Sequence, residues 1–344
     1  MIIQGEFKKI LTPLIRQAPQ VILINNKMKT ILVTGAVGFI GFHTSKLLLE
    51  KGYQVIGLDE INDYYNPEWK EANLAKLKEN NNFNFLKLDI RNLSDLREQL
   101  SKYKIDAIVH LAARAGVRPS IADPLLYEEV NIKGTINLLE IAKENQIKQF
   151  VFASSSSVYG NQSKVPFSET DPVNEPISPY AASKKAGEMF CHTYAHLYDI
   201  NCICLRFFTV YGPNGRPDMA PYMFTKAILE GKTIKKFGDG QTRRDYTYVD
   251  DIVSGVVAAI DLDRKFEIIN LGNSNPITLN EFIEILEKIT GKKMQIERLP
   301  MQPGDVDQTF ADVAKAKKLL GYEAKTSFEA GMRKFVEWYR ANRF

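Results

Sequence analysis

The sequence has few cysteines, no long apolar run and no large excess of charge of either sign. Its three cysteines in 344 residues form neither a metal-ligand spacing nor an even disulfide set, which favours a reducing, cytoplasmic location. No apolar run reaches the roughly 18 residues of a membrane-spanning helix. The net charge of +4 is too small and too dispersed to indicate nucleic-acid binding, although it suits an anionic small molecule. We therefore expect no membrane, nucleic-acid or metal partner.

Residues 1–27 precede the first regular pattern, and we interpret them as an N-terminal extension of unknown role. The apolar patch at 21–24 is too short for the hydrophobic region of a signal peptide. No cleavage site of small residues follows it.

From residue 28 onward, apolar runs alternate with segments of helical spacing. The runs lie at 30–34, 54–58, 84–88, 107–111 and 149–153, and the helical segments at 39–51, 94–101, 125–144 and 180–198. This alternation is typical of βαβ units, and continuous apolar strands are typical of a sheet covered on both faces. The predicted fold is α/β, with a Rossmann-like doubly wound parallel sheet over residues 28–205.

Beyond residue 205, loops rich in Gly and Pro separate the helical segments. We expect residues 206–344 to form a smaller α/β region that mainly binds the substrate. Parts of 240–272 are expected to return to the nucleotide-binding domain.

The first predicted strand ends in a glycine turn that indicates a dinucleotide site. Its glycines are Gly35, Gly38 and Gly41, a spacing that lets the backbone approach a pyrophosphate at the start of a helix. Asp59 ends the next strand, where a carboxylate accepts hydrogen bonds from the adenosine ribose and repels a 2′-phosphate. No Arg or Lys occurs between Asp59 and Trp69, so the predicted cofactor is NAD rather than NADP.

Further cofactor contacts are expected from the glycine turn and from the ends of later strands. Asp89 and Ile90 either frame the adenine or form a simple turn at the strand end, and small residues after the fourth strand leave room for a cofactor. The residues assigned in this way are Phe39, Ile40, Asp89, Ile90 and Ala112.

Ser155, Tyr180 and Lys184 are the candidate catalytic residues. A second Tyr-x-x-x-Lys spacing starts at Tyr222, so this spacing alone decides nothing. Tyr180, however, follows a Ser-Pro helix-start signal that places it beside the carboxyl edge of the sheet, and Ser155 follows a buried strand that reaches the same edge. Because a free tyrosine has a pKa of about 10, we expect the Lys184 ammonium and the nicotinamide charge to lower the pKa of Tyr180.

Over residues 28–344 the chain resembles the extended short-chain dehydrogenase/reductase enzymes, specifically the nucleotide-sugar 4-epimerases. The motifs that carry the resemblance are TGAVGFIG, HLAARAGVR, FASSSSVYG, YAASK, RFFTVYGP, RRDYTYVDD and PGDVDQTFAD. The resemblance implies that Tyr180 is the catalytic base, Lys184 its partner and Ser155 the hydroxyl on the sugar O4. It also implies a UDP-sugar substrate and a homodimer formed through the helices around 125–144 and 180–198.

The residues at 156 and 157, both serine, limit which reactions are expected. Similar dehydratases carry Asp-Glu at the positions of Ser156 and Ser157, and similar UDP-glucuronate decarboxylases carry Glu at the position of Ser157. Neither acid is present here. What remains is oxidation at C4, rotation of the ketosugar and reduction from its opposite face.

The stretch 212–220 resembles the signature of UDP-glucuronate 4-epimerases. A C6 carboxylate would be bound by Arg216, Thr209 and the hydroxyls of Ser156 and Ser157, since charge-assisted hydrogen bonds are the stronger kind. Two departures from that signature, Asn214 and Pro119, would alter the shape of the pocket. The other residues assigned to the UDP-sugar are Arg118, Arg244 for the diphosphate and Asp305 for the uridine ribose.

The expected activity is therefore NAD-dependent 4-epimerisation of UDP-glucuronate. The alternatives are the same chemistry on UDP-glucose or UDP-N-acetylglucosamine, decarboxylation of UDP-glucuronate, and a catalytically silent NAD-sensing protein.

Overall fold

The computed structural model describes residues 28–300 and 308–342, so the predicted extension at 1–27 lies outside the described residues. The strands are β1 (Thr30–Thr34), β2 (Gln54–Asp59), β3 (Phe83–Lys87), β4 (Ala107–His110), β5 (Gln149–Ser155), β6 (Asn201–Phe207), β7 (Thr209–Tyr211), β8 (Thr233–Phe237), β9 (Arg243–Arg244), β10 (Tyr246–Tyr248), β11 (Phe266–Leu271), β12 (Ile277–Thr278), β13 (Gln295–Leu299) and β14 (Gln308–Thr309).

Helices connect most of these strands. They are α1 (Phe39–Glu50), α2 (Pro67–Lys78), α3 (Leu93–Leu100), α4 (Val117–Ala122), α5 (Pro124–Tyr127), α6 (Gly134–Glu144), α7 (Pro179–Tyr198), α8 (Ala220–Glu230), α9 (Val249–Ala259), α10 (Leu279–Thr290), α11 (Ala314–Leu320) and α12 (Phe328–Ala341). A π turn, Glu128–Lys133, separates α5 from α6, and a 3₁₀ turn, Ser156–Tyr159, follows β5.

Seven parallel strands form the central sheet in the order β11-β6-β5-β4-β1-β2-β3. Both faces are covered, because Ile31 and Val33 of β1 pack with residues of α1 and α9, whereas Leu32 packs with residues of α3, α6 and α7. The α/β, Rossmann-like prediction is confirmed. The strand order reverses between β1 and β4, and open sheets of this type bind ligands at the carboxyl ends of the strands beside such a reversal.

Helix α2 was not predicted, although Asn66 caps it by accepting a bond from the Glu68 backbone N–H and Pro67 occupies its first turn. The predicted helical segment 125–144 is confirmed, since α5, the π turn and α6 follow one another without a break. That turn carries Asn131, whose side chain bonds both backbone groups of Arg114 at 2.8 and 2.9 Å.

The chain beyond β6 builds small sheets on the edge of the large one. Strand β7 pairs with β10, β8 with β13, and β9 with β12 and β14, whereas β11 returns to the central sheet beside β6. The buried Asp245 carboxylate accepts bonds from the backbone N–H groups of Asn273, Ser274 and Ala311 at 2.8, 3.0 and 3.1 Å. It thereby joins the loop after β11 to the segment after β14.

A buried ion pair holds α7 against the central sheet. Arg206 of β6 donates two hydrogen bonds to Glu188 of α7, at 2.8 and 2.9 Å, and both side chains are 1% exposed. Ser154 of β5 donates a third bond to Glu188 at 2.7 Å. Burial alone would raise the pKa of Glu188, but the bonds from Arg206 and Ser154 outweigh it and hold that pKa below its ordinary value.

Replacing Arg206 by methionine should remove both guanidinium bonds from the buried Glu188 carboxylate and leave it only the bond from Ser154 and a longer one, 3.4 Å, from Lys185. We expect a loss of about 3–5 kcal/mol in the free energy of unfolding, measured by urea titration. The control is Lys46→Met, which removes an exposed ion pair with Glu50 and should change stability little. A loss below about 1 kcal/mol in the Arg206 variant would show that the pair does not hold α7.

Candidate active site

A cavity of about 420 Å³ opens at the carboxyl ends of the central strands. Most of the residues predicted for the site line this one cavity. They are Gly35, Gly38, Phe39, Ile40, Gly41, Asp59, Asp89, Ile90, Ala112, Ser155, Ser156, Ser157, Tyr180, Lys184, Thr209 and Arg216.

The glycine turn brings backbone close to backbone at the start of α1. Gly35 has a φ of 68° and donates to the Leu58 carbonyl at 2.7 Å. A Cβ on Gly41 would lie 1.9 Å from the Gly35 carbonyl oxygen, and one on Gly35 would lie 2.9 Å from Ala112. A side chain at these positions would fill the cradle in which a pyrophosphate can approach the helix N-terminus.

Asp59 has a basic neighbour that the sequence reasoning missed. Its carboxylate accepts a bond from the Ile61 backbone N–H at 2.9 Å and lies 3.6 Å from the ammonium of Lys70. Lys70 lies just beyond the interval searched for Arg and Lys, and helix α2 brings it back to the end of β2. A basic side chain therefore does lie beside Asp59, and the prediction of NAD depends on the Asp59 carboxylate itself.

Asp89 and Ile90 follow β3, the edge strand of the central sheet. The predicted catalytic residues lie near the end of β5, on the other side of β1. Arg91 donates to Asp89, with a shortest distance of 2.6 Å. Burial alone would raise the pKa of Asp89, but these bonds hold it below its ordinary value. The Ile90 side chain packs against Gly134 at the start of α6. A Cβ on Gly134 would lie only 2.5 Å from that side chain, so α6 approaches the end of β3 closely.

The three predicted catalytic residues, Ser155, Tyr180 and Lys184, line the cavity near the end of β5. Ser155 ends the strand, and its Oγ lies 3.1 Å from Ser157 Oγ and accepts from the Ser157 backbone N–H at 3.2 Å. Ser178 caps α7 by accepting from the Ala181 backbone N–H at 3.1 Å, which places Tyr180 in the first turn of the helix. The Ser155 hydroxyl is close enough to the Tyr180 phenol to act on its pKa.

The charge environment of Tyr180 differs from the prediction. Burial raises the pKa of Tyr180 above its ordinary value, against the opposing influence of the Ser155 hydroxyl and then the Arg216 guanidinium. Lys184 is not among the described groups that shift the pKa of Tyr180. Its ammonium donates to the Ala153 carbonyl at 2.7 Å, and burial lowers its pKa to about 8.

Tyr64, which was not predicted to belong to the site, packs against Arg216. The Arg216 guanidinium lies 5.4 Å from the centre of the Tyr64 ring and donates to the Asp218 carboxylate at 3.0 and 2.5 Å. Arg114 lies 5.6 Å from the same ring, and the Tyr64 hydroxyl donates to the Ala115 carbonyl. The loop after β2 therefore reaches across the cavity. The only signal for it in the sequence was the aromatic pair at 64–65.

Three predicted substrate residues are not placed in this cavity. Arg118 is exposed on α4, Arg244 is half-buried on β9, and neither lines the cavity. Asp305 lies outside the described residues. Their assignments stay predictions.

Within residues 28–300 and 308–342, no helix is long and apolar enough to cross a membrane. No group of three or more His, Cys, Asp or Glu side chains in the same ranges could hold a metal ion.

The doubly wound sheet, the glycine turn and the Ser-Tyr-Lys set define an extended short-chain dehydrogenase/reductase. The sequence model of the family described as GDP-mannose 4,6 dehydratase matches residues 32–335, and the chain belongs to this family.

Named relatives and solved structures are similar over nearly the whole chain. A UDP-glucuronate 4-epimerase from Thermodesulfobacterium geofontis is 48% identical, with 90% of this chain and 96% of the relative covered. The crystal structure of a UDP-glucuronic acid 4-epimerase from Bacillus cereus with UDP-glucuronic acid and NAD is 39% identical, with a TM-score of 0.84 and coverage of 91% and 99%. A UDP-glucose 4-epimerase from Thermotoga maritima with UDP-glucose is 34% identical, with the same TM-score and coverage.

Proposed function

We propose that the protein is an NAD-dependent 4-epimerase that interconverts UDP-glucuronate and UDP-galacturonate through a 4-keto sugar. The observation that carries the proposal is the position of Arg216, whose guanidinium lines the same cavity as the Ser155–Tyr180 pair and acts on the pKa of Tyr180. A cation beside the reacting centre suits a sugar with a carboxylate at C6. The named relatives from Thermodesulfobacterium geofontis and Bacillus cereus support this substrate.

The residues around the glycine turn fit NAD. The cradle at Gly35 and Gly41 leaves room for a pyrophosphate, and Asp59 provides an acceptor for the adenosine ribose. Asp89 and Ile90 would border the adenine, and Lys184 the nicotinamide side. When bound, NAD takes up a hydride from C4 of the sugar and returns it to the other face.

Tyr180 is the proposed general base. Its phenolate would take the proton from the 4-hydroxyl as the C4–H bond breaks, and it would return the proton to O4 when the ketosugar is reduced. The bond from Ser155 would align O4 with the phenol. Since burial raises the pKa of Tyr180, positive charge is needed beside it during the reaction. Arg216 supplies part of that charge.

The sugar carboxylate is proposed to bind among Arg216, Thr209, Ser156 and Ser157, all of which line the cavity. Asp218 holds the Arg216 guanidinium through two hydrogen bonds, and the Tyr64 ring lies beneath it. The guanidinium is therefore oriented before a ligand arrives, which lowers the entropy lost on binding. Arg118, Arg244 and Asp305 are proposed contacts of the UDP group.

We also retain the proposed division of labour along the chain, with residues 28–205 binding the cofactor and 206–344 mainly the substrate. Strand β11 forms part of the central sheet, which supports the return of part of 240–272 to the cofactor domain.

We propose that the protein is a cytoplasmic homodimer. Helices α4, α5 and α7 expose large apolar side chains at Ile121, Leu125, Met189 and Leu197, which are 57–75% exposed. Apolar surface of this kind is typical of an interface. The three cysteines are free and buried, which fits a reducing compartment that cell fractionation can identify.

The Tyr180→Phe variant tests the proposed mechanism. It should lose at least about 100-fold in turnover and still show a rise in melting temperature with NAD. Proton NMR should detect a galacto-configured anomeric signal when wild-type protein is incubated with UDP-glucuronate. Tyr127→Phe is the matched control, because the Tyr127 ring contacts Tyr180 and its hydroxyl donates to the Ala115 backbone carbonyl at 2.7 Å.

Near-normal turnover in the Tyr180 variant would remove Tyr180 from the mechanism. A pentose product from the wild-type protein would identify a decarboxylase instead.

The Arg216→Met variant tests the substrate. Hydrogen bonds to a charged group contribute about 1.5–3 kcal/mol, so KM for UDP-glucuronate should rise about 10- to 100-fold. Turnover of UDP-glucose, which lacks the carboxylate, should fall less, because for that sugar only the charge of Arg216 beside Tyr180 is lost. Lys226→Met, an exposed change on α8, is the control for net charge. An equal loss for both sugars would contradict the carboxylate site.

Sedimentation velocity tests the oligomeric state. The proposed dimer should sediment at twice the chain mass of 39.0 kDa, and Leu125→Glu should shift it toward the monomer, because a charge would replace exposed apolar surface. A wild-type monomer at micromolar concentration would contradict the proposal.

A further inference from the structure

Lys70 is a buried cation in the cavity that the proposed mechanism does not use. Its side chain is 7% exposed, and it lines the cavity beside Asp59. The ammonium donates to Asn62 Oδ1 at 3.0 Å and lies 3.6 Å from Asp59 Oδ1. Helix α2, which is capped by Asn66, fixes the backbone from which it extends.

The other cations at this end of the cavity have carboxylates of their own. Arg91 pairs with Asp89 at 2.6 Å and with Glu129 at 3.3 Å, and Arg114 lies 4.0 Å from Glu60. Within the described part of the chain, Asp59 is the only carboxylate within 4.0 Å of the Lys70 ammonium. The position at the end of β2 therefore carries one negative and one positive charge, not an acid alone.

We propose that Lys70 is a determinant of cofactor specificity and forms a latent site for a 2′-phosphate, which Asp59 blocks. The inference rests on the proposed NAD dependence. An acid at this position contacts the ribose 2′-hydroxyl in NAD-binding proteins, and a basic residue nearby accommodates the 2′-phosphate in NADP-binding ones. This chain has both side chains in contact. Preference for NAD consequently depends on the single charge of Asp59.

The position of the Lys70 ammonium does not depend on Asp59 alone. The bond to Asn62 would still hold the ammonium in place if Asp59 were made neutral. An asparagine at position 59 keeps the oxygen that accepts from the Ile61 backbone N–H, so the turn, in which Ile61 has a φ of 52°, is retained. The freed ammonium could then donate to a phosphate, a charge-assisted bond of the strong kind.

Titration calorimetry with NAD and NADP on four purified proteins tests the proposal. Wild type should prefer NAD. Asp59→Asn should bind NADP at least about tenfold more tightly than wild type does. The double variant Asp59→Asn/Lys70→Met should lose that gain. Lys76→Met in the Asp59→Asn background is the control, because Lys76 is exposed on the same helix and its loss should leave the gain intact.

Equal NADP affinity in the Asp59→Asn protein with and without Lys70 would overturn the inference while leaving the proposed function standing. A wild-type protein that binds neither dinucleotide would contradict the proposed function as well. The Lys70→Met single variant gives a test that does not require Asp59 to be changed. It should widen the preference for NAD over NADP, and an unchanged ratio would count against the proposal.

Discussion

The buried pair of Glu188 and Arg206 is the interaction on which the geometry of the site depends. It joins α7 to β6, and through Ser154 it also joins α7 to β5. Helix α7 carries Tyr180 and β5 ends at Ser155, so the distance between phenol and hydroxyl is set by how these elements pack. A charge pair of this kind has directional bonds, which apolar contacts lack. It can therefore fix the helix along its axis as well as against the sheet.

Three cations in or beside the cavity are paired with carboxylates, whereas Lys184 donates to the Ala153 carbonyl. Arg216 bonds Asp218, Arg91 bonds Asp89 and Lys70 lies beside Asp59. An anionic ligand therefore binds side chains that their carboxylate partners already hold in place. Less conformational entropy is lost than when a mobile side chain binds, and ligands whose charges do not match these side chains bind weakly.

The fold and the family were predictable because their signals are local in the sequence. Continuous apolar runs revealed the strands, and the spacing of Gly35 to Gly41 revealed the cradle. The predicted activity agrees with the names of the relatives from Thermodesulfobacterium geofontis and Bacillus cereus. The contacts of Tyr64 and Lys70 could not be predicted, since both follow from the path by which α2 and its preceding loop return to the sheet. The π turn also escaped prediction, because its Val130 and the residues of α6 maintain a helical apolar spacing across it.

The hydrogen bonds of Asp245 restrict the spacing of the backbone in the two segments that it joins. Its carboxylate is bonded to the backbone of Asn273, Ser274 and Ala311 and to none of their side chains. The contact itself therefore depends on where the three backbone N–H groups lie. Insertion or deletion of one residue there would move a backbone donor away from the buried carboxylate and leave it unsatisfied. Related sequences should consequently keep the spacing of these segments constant.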